Sequence, residues 1–280
     1  MSSEYVGAGA PLAKNLPLAA LGASAIAWIL LVLTTGSHLY GMPMSPRETI
    51  TSMLEFLSAW EVMVIAMMLP ASLGFLALFQ TATSGSRFSM TRRTALCLGY
   101  SLVWMGVGCV AMIVGDTLYR SDGLSIWLGS HANFLAGGVF ALAGCYQFST
   151  LKRRCLVICS HPANFFMRYY RRGMGNALVL GLRYGLVCLG CCWALMVVMV
   201  ILGGSNLYVM TVLTGIMFAE RAMGWNNRVA SAVGLACIAL GVLVAASPNT
   251  MPAFAQNAAG WVNIGSMQLT HHGWTFWCHA

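Results

Sequence analysis

Asn176–Leu202 reads NALVLGLRYGLVCLGCCWALMVVMVIL, an apolar run interrupted by one charged side chain, Arg183. A helix needs about 20 mainly apolar residues to cross a hydrocarbon core of about 30 Å, and this stretch exceeds that. Six further apolar runs lie near Pro17–Ser37, Ser58–Gln80, Thr94–Gly115, Ala132–Phe148, Asn206–Glu220 and Val229–Ser247. The first follows only Lys14 and is long for the apolar part of a cleaved leader, so it reads as a retained helix. The expected fold is therefore all-α, a polytopic membrane bundle of about seven transmembrane helices over residues 1–247. An aromatic and His-bearing tail follows over 248–280.

Composition supports this reading. Hydrophobic residues make up 59% of the 280 and charged residues 8%, against about 25% charged in a soluble chain. So few charges cannot cover a water-exposed surface of this size, and lipid must be the solvent for most of the chain. The formal charge of +8 is a topology signal rather than a nucleic-acid footprint. No basic stripe with interleaved aromatics, zinc-finger spacing or Gly-rich phosphate loop accompanies it.

The basic residues alternate between loops. Lys14, then Arg87, Arg92 and Arg93, occupy the first two positive segments. Lys152, Arg153, Arg154, Arg168, Arg171 and Arg172 follow in the third, and Arg221 and Arg228 in the fourth. Only Arg47 and Arg120 fall in the opposite loops. Positive loops stay on the cytoplasmic side, which predicts a cytoplasmic N-terminus, an outer C-terminal tail and a bacterial inner membrane location.

Sulfur is the unusual feature, with ten Cys and 19 Met against six His. Nearly all the Cys fall in helices or on the cytoplasmic face, where thiols stay reduced. Only Cys278 lies in the outer tail. On the fifth span, Cys188, Cys192, Met196 and Met199 follow the i, i+4, i+8, i+11 pattern of one helix face. Thiolate and thioether donors select Cu(I) and other soft metals. Small Cys and pliable Met also serve close packing, and Gly181 and Gly185 indicate that this helix packs tightly against a neighbour.

Three other segments carry donors. Trp60–Pro70 (WEVMVIAMMLP) sets Met63 and Met67 on one face, with Glu61 near the outer interface and a kink expected at Pro70. Cys155 and Cys159 would share a face if their segment is helical, with His161 completing a three-ligand site. The neighbouring Lys and Arg also suit anionic headgroups. Glu220 can neutralise this region or pair with Arg221 or Arg183. In the outer tail, His271, His272, Cys278 and His279 are interleaved with aromatics that read first as interfacial anchors, and second as a metal-capture or docking element.

These strings resemble a bacterial family of predicted metal-binding integral membrane proteins of unknown function. The resemblance rests on Trp60–Pro70, on Tyr146-Gln147 with Leu151-Lys152, Cys155 and Cys159, on Gly185 to Met196, and on Asn206, Met210 and Glu220. It covers roughly Ser58 to Ala246 and leaves out the tail. Thr150, Ser205 and Arg221 stand where the family pattern has Pro, Met and Lys. The resemblance implies metal binding and names no reaction.

The resulting expectation is a membrane-embedded copper-binding protein for copper handling or delivery to a membrane metalloenzyme. Cu(I) would be taken by Met63, Met67, Met196 and Met199, held by Cys188 and Cys192, and related to Cys155, Cys159 and His161. The other expectation is a non-catalytic accessory or assembly subunit of an oxidase- or oxygenase-type membrane complex, docked through the outer tail. Expected partners are the lipid bilayer and such a metalloenzyme complex or a copper chaperone, with no nucleic acid. No nucleophile–base pair, metalloprotease motif or paired carboxylates signal an enzyme.

Overall fold

The computed structural model describes residues 15–35, 50–84, 89–120, 131–202, 207–222 and 226–246. Among these the chain is helical, with no strand. The helices are α1 (Asn15–Thr35), α2 (Ile50–Met68), α3 (Leu73–Thr83), α4 (Ser89–Arg120) and α5 (Ala132–Gln147). There follow α6 (Thr150–Ser160), α7 (Pro162–Tyr169), α8 (Met174–Ile201), α9 (Leu207–Ala222) and α10 (Asn226–Ala246). The outer tail, with His271, His272, Cys278 and His279, lies outside the described residues.

By length and apolarity, three helices of the described residues can cross a membrane: Ser89–Thr117, Met174–Ile201 and Arg228–Ala246. The number rises to five if each of two bent pairs is one span. One bent pair is the expected second span. It runs as α2, a 3-10 turn at Pro70–Ser72 and α3, with a bend of 52°. Pro70 has no N–H to give the carbonyl four residues back, which is that of Ala66. That carbonyl instead accepts the Ser24 hydroxyl at 3.0 Å and the Trp28 indole N–H at 3.1 Å, both from α1. The Ser72 hydroxyl serves the Met68 carbonyl in the same way at 3.0 Å.

The second bent pair is α5 and α6, turned by 61°. Ser149 caps α6, its hydroxyl accepting from the Lys152 N–H at 3.1 Å. Thr150 is therefore the first helical residue, a position where Pro is tolerated because its N–H is unused. Exchanging one for the other at this point loses no backbone bond. The Lys152-Arg153-Arg154 run is thus helical rather than a loop, with Lys152 buried and both arginines exposed.

Glycines set the closest helix contacts. A methyl added at Gly181 would strike the Leu96 carbonyl, and one at Gly99 the Leu178 carbonyl, so α8 and α4 meet backbone to backbone. The α5–α10 pair does the same. A methyl at Gly137 would stand 2.7 Å from the Gly241 oxygen, and one at Gly144 2.7 Å from the Gly234 oxygen. With α4, α5, α6 and α9 all packed on it, α8 is the central helix.

Two cores result. One is aromatic, joining Phe75 and Phe79 of α3 to Phe165, Phe166 and Tyr184; Phe75 and Tyr184 stack at 3.9 Å. The other is the sulfur-rich core around the middle of α8.

Candidate metal centre

Cys188, Cys191 and Cys192 are all buried on α8, and Cys159 of α6 joins them in one core. Cys159 and Cys191 place their sulfurs 3.8 Å apart. A metal–thiolate bond is about 2.3 Å for zinc, so two sulfurs bridged by one ion lie at most about 4.6 Å apart. The Cys159–Cys191 pair falls within that reach. Cys191 and Cys192 both donate their thiols to the Cys188 carbonyl, at 3.0 and 2.9 Å.

The guanidinium of Arg221, from the last turn of α9, enters this group. Its Nη2 donates to Cys188 Sγ at 3.0 Å and to Cys191 Sγ at 2.9 Å. The Tyr100 hydroxyl of α4 stands 3.2 Å from Cys188 Sγ. Arg221 is only 5% exposed, and its Nη1 is buried without a hydrogen-bond partner. A buried charge is costly unless paired, and sulfur is the acceptor that α8 offers.

Beside it, Lys152 Nζ lies 2.9 Å from one Glu220 oxygen and 3.1 Å from the other. Of the partners expected for Glu220, it takes neither Arg221 nor Arg183 but neutralises the basic segment through Lys152. Arg183 is exposed, with its guanidinium 4.7 Å from the Tyr169 ring centre.

The expected methionines converge on the same core. Met63 and Met67 of α2 and Met196 and Met199 of α8 are buried in it together, joined by Met68 of α2 and Met210 and Met217 of α9. Trp60 is buried too, but its indole N–H donates to the Trp104 carbonyl at 2.9 Å, which fastens α2 to α4. Glu61 is half-buried, with one carboxylate oxygen buried and unpartnered. Cys155 borders the core and faces Gly190, where a methyl would stand 2.8 Å from its sulfur. His161 caps the end of α6, exposed, and is not gathered with Cys155 and Cys159.

Cys191 and Arg221 are the residues the one-face stripe did not single out. Cys191 is three positions from Cys188, also a shared-face spacing. The adjacent charges Glu220-Arg221 at the end of an apolar helix were the available signal for the rest, since a charge beside an apolar run calls for a buried partner. Among the described residues, no group of three or more His, Cys, Asp or Glu side chains is disposed to hold a metal ion. The donor set is one of paired sulfurs, which suits a soft ion of low coordination number rather than a tetrahedral zinc site.

The fold and its core thus define a helical protein with buried soft donors. The chain belongs to the PpoB2 copper chaperone family, whose sequence profile matches residues 57–244. That segment holds every donor described above and ends before the tail. No curated protein and no solved structure matches the chain.

Proposed function

We propose that this protein is a copper chaperone embedded in the bacterial inner membrane, which holds Cu(I) on the buried thiols and passes it to a membrane metalloenzyme. The observation carrying this reading is the contact of Cys188 and Cys191 with one buried guanidinium, with Cys159 brought to 3.8 Å from Cys191, within a methionine-rich core. Copper is cargo here, and the family assignment supports its identity. Cys159 and Cys191, 3.8 Å apart, would be the holding pair, with Cys188 beside them on the same guanidinium as Cys191, and the methionines of α2, α8 and α9 the softer donors along the approach. Chaperoning needs no bond-making beyond ligand exchange, so no catalytic residue is assigned.

Helix lengths favour a site in the inner half of the bilayer, toward its midplane. At 1.5 Å per residue, the 28 residues of α8 reach about 42 Å, beyond a core of about 30 Å. The excess fits at its start, beside Arg171, Arg172 and Arg183. At 16 residues, α9 reaches only about 24 Å and ends at Glu220-Arg221, level with the thiols. A helix that stops short of the inner face and ends in polar groups suits a site loaded through the membrane and emptied toward the cytoplasmic side. The seven-span count and the cytoplasmic N-terminus belong to this proposal, as does the outer tail as the element that docks an oxidase- or oxygenase-type partner.

The test is the copper content of protein purified anaerobically in detergent with a reductant. Wild-type protein retains copper through gel filtration. Cys188→Ser/Cys191→Ser loses it, while Cys97→Ser, at an exposed thiol, does not. Equal copper in all three would overturn the reading.

A further inference from the structure

We propose that Arg221 makes the thiol site selective for monovalent soft cations by matching the charge of the loaded site. This rests on the thiols being the copper site. Among the described residues of α6, α8 and α9, the buried charged groups are Lys152, Glu220 and Arg221. Lys152 and Glu220 contact each other at 2.9 Å and cancel. Arg221 is left over, a permanent cation with two short contacts to sulfur and a second guanidinium nitrogen without a partner. Counting the permanent charges alone, the site carries one positive charge in an apolar interior.

Loading changes the sum in a way that depends on the ion. A monovalent ion between two thiolates forms a complex with one net negative charge, and Arg221 neutralises it. A divalent ion between the same two thiolates forms a neutral complex, and the guanidinium stays uncompensated. At contact distance in a protein environment, that difference is worth roughly a hundredfold or more in affinity. Donor softness alone does not separate soft monovalent from soft divalent ions; the fixed charge does. One guanidinium nitrogen, Nη2, reaches both sulfurs at once.

Ag(I) and Cd(II) make the cleanest probes, because both are soft closed-shell ions that differ by one charge. The full-length protein in detergent, under reductant-controlled anaerobic conditions, is titrated with each against a free dithiol competitor such as dithiothreitol. The expected result is a wild-type preference for Ag(I) over Cd(II) that exceeds the dithiol's own by roughly a hundredfold. Arg221→Gln loses that excess and Arg221→Lys keeps most of it. Lys152→Met/Glu220→Gln, which removes a neutral pair, also keeps it. A wild-type ratio no greater than the dithiol's, or an excess unchanged in Arg221→Gln, overturns charge matching while leaving copper binding intact. Retention of neither Ag(I) nor Cu(I) by wild-type protein instead defeats the copper site itself. Should Arg221→Gln fail to fold, the wild-type ratio and the neutral-pair variant still decide.

Discussion

The Lys152 ammonium stands 2.9 Å from a Glu220 carboxylate oxygen, joining α6 to α9 across 68 positions of sequence with both side chains almost wholly buried. Losing one partner leaves the other as a lone buried charge, and such truncations cost about 3–5 kcal/mol. Glu220→Gln and Lys152→Met are each expected to destabilise the protein on that scale. The double variant should cost less than the sum, since it removes both charges together. Denaturation of the four proteins in one detergent gives the coupling as a double-mutant cycle. Additive losses would mean the two groups do not act as a unit.

The Ala66 carbonyl, left without its helical donor by Pro70, yields a second prediction. Trp28→Phe removes one of its two α1 donors and should cost about 1 kcal/mol beyond the lost packing. In a Pro70→Ala background the restored N–H competes for that carbonyl, so Trp28→Phe should cost less there. Equal losses in both backgrounds would show that the α1 bonds do not compensate the proline.

Gly181→Ala tests whether the α4–α8 contact positions the site. The added methyl meets the Leu96 carbonyl, and backbone cannot yield as a side-chain tip can. Overpacking of this kind costs about 1–3 kcal/mol. Because Tyr100 of α4 contacts Cys188 of α8, the variant should also retain copper less well. Gly106→Ala lies on the same α4 helix with open space around it, and should be neutral or stabilising by up to about 1 kcal/mol. Equal behaviour of the two variants would separate the α4–α8 contact from the site.

Much of this architecture was legible in the sequence because helical periodicity is local. The α8 apolar run and its donors Cys188, Cys192, Met196 and Met199 could be placed on one face from spacing alone, and all four are buried together. Pro70 announced its bend by missing an N–H. What spacing could not supply was pairing between helices. Nothing local tells Arg221 to enter between Cys188 and Cys191, or brings Cys159 to Cys191 across 32 positions. The α5–α6 turn was hidden for a related reason. Thr150 does not stop a helix as Pro does, and its role depends on Ser149 capping a new one. His161 looked like a third ligand by proximity in sequence, yet it sits where α6 ends, and its side chain is exposed.

The methionines separate holding copper from delivering it. Met63, Met67, Met196 and Met199 are buried with the thiols, and Leu is close to Met in volume, so each Met→Leu exchange should cost less than about 1.5 kcal/mol. If these side chains only fill space, copper loading will not notice the exchange. If they pass Cu(I) inward, removing the thioethers takes away soft donors while the thiol pair still holds the ion at the end. The quadruple Leu variant should therefore reach the wild-type copper content but approach it more slowly. The check is a loading time course in proteoliposomes with Cu(I) supplied on one side. Met90→Leu, at an exposed position of α4, serves as the control and should load at the wild-type rate. An unchanged rate in the quadruple variant would return the methionines to packing and leave the thiols as the whole of the metal site.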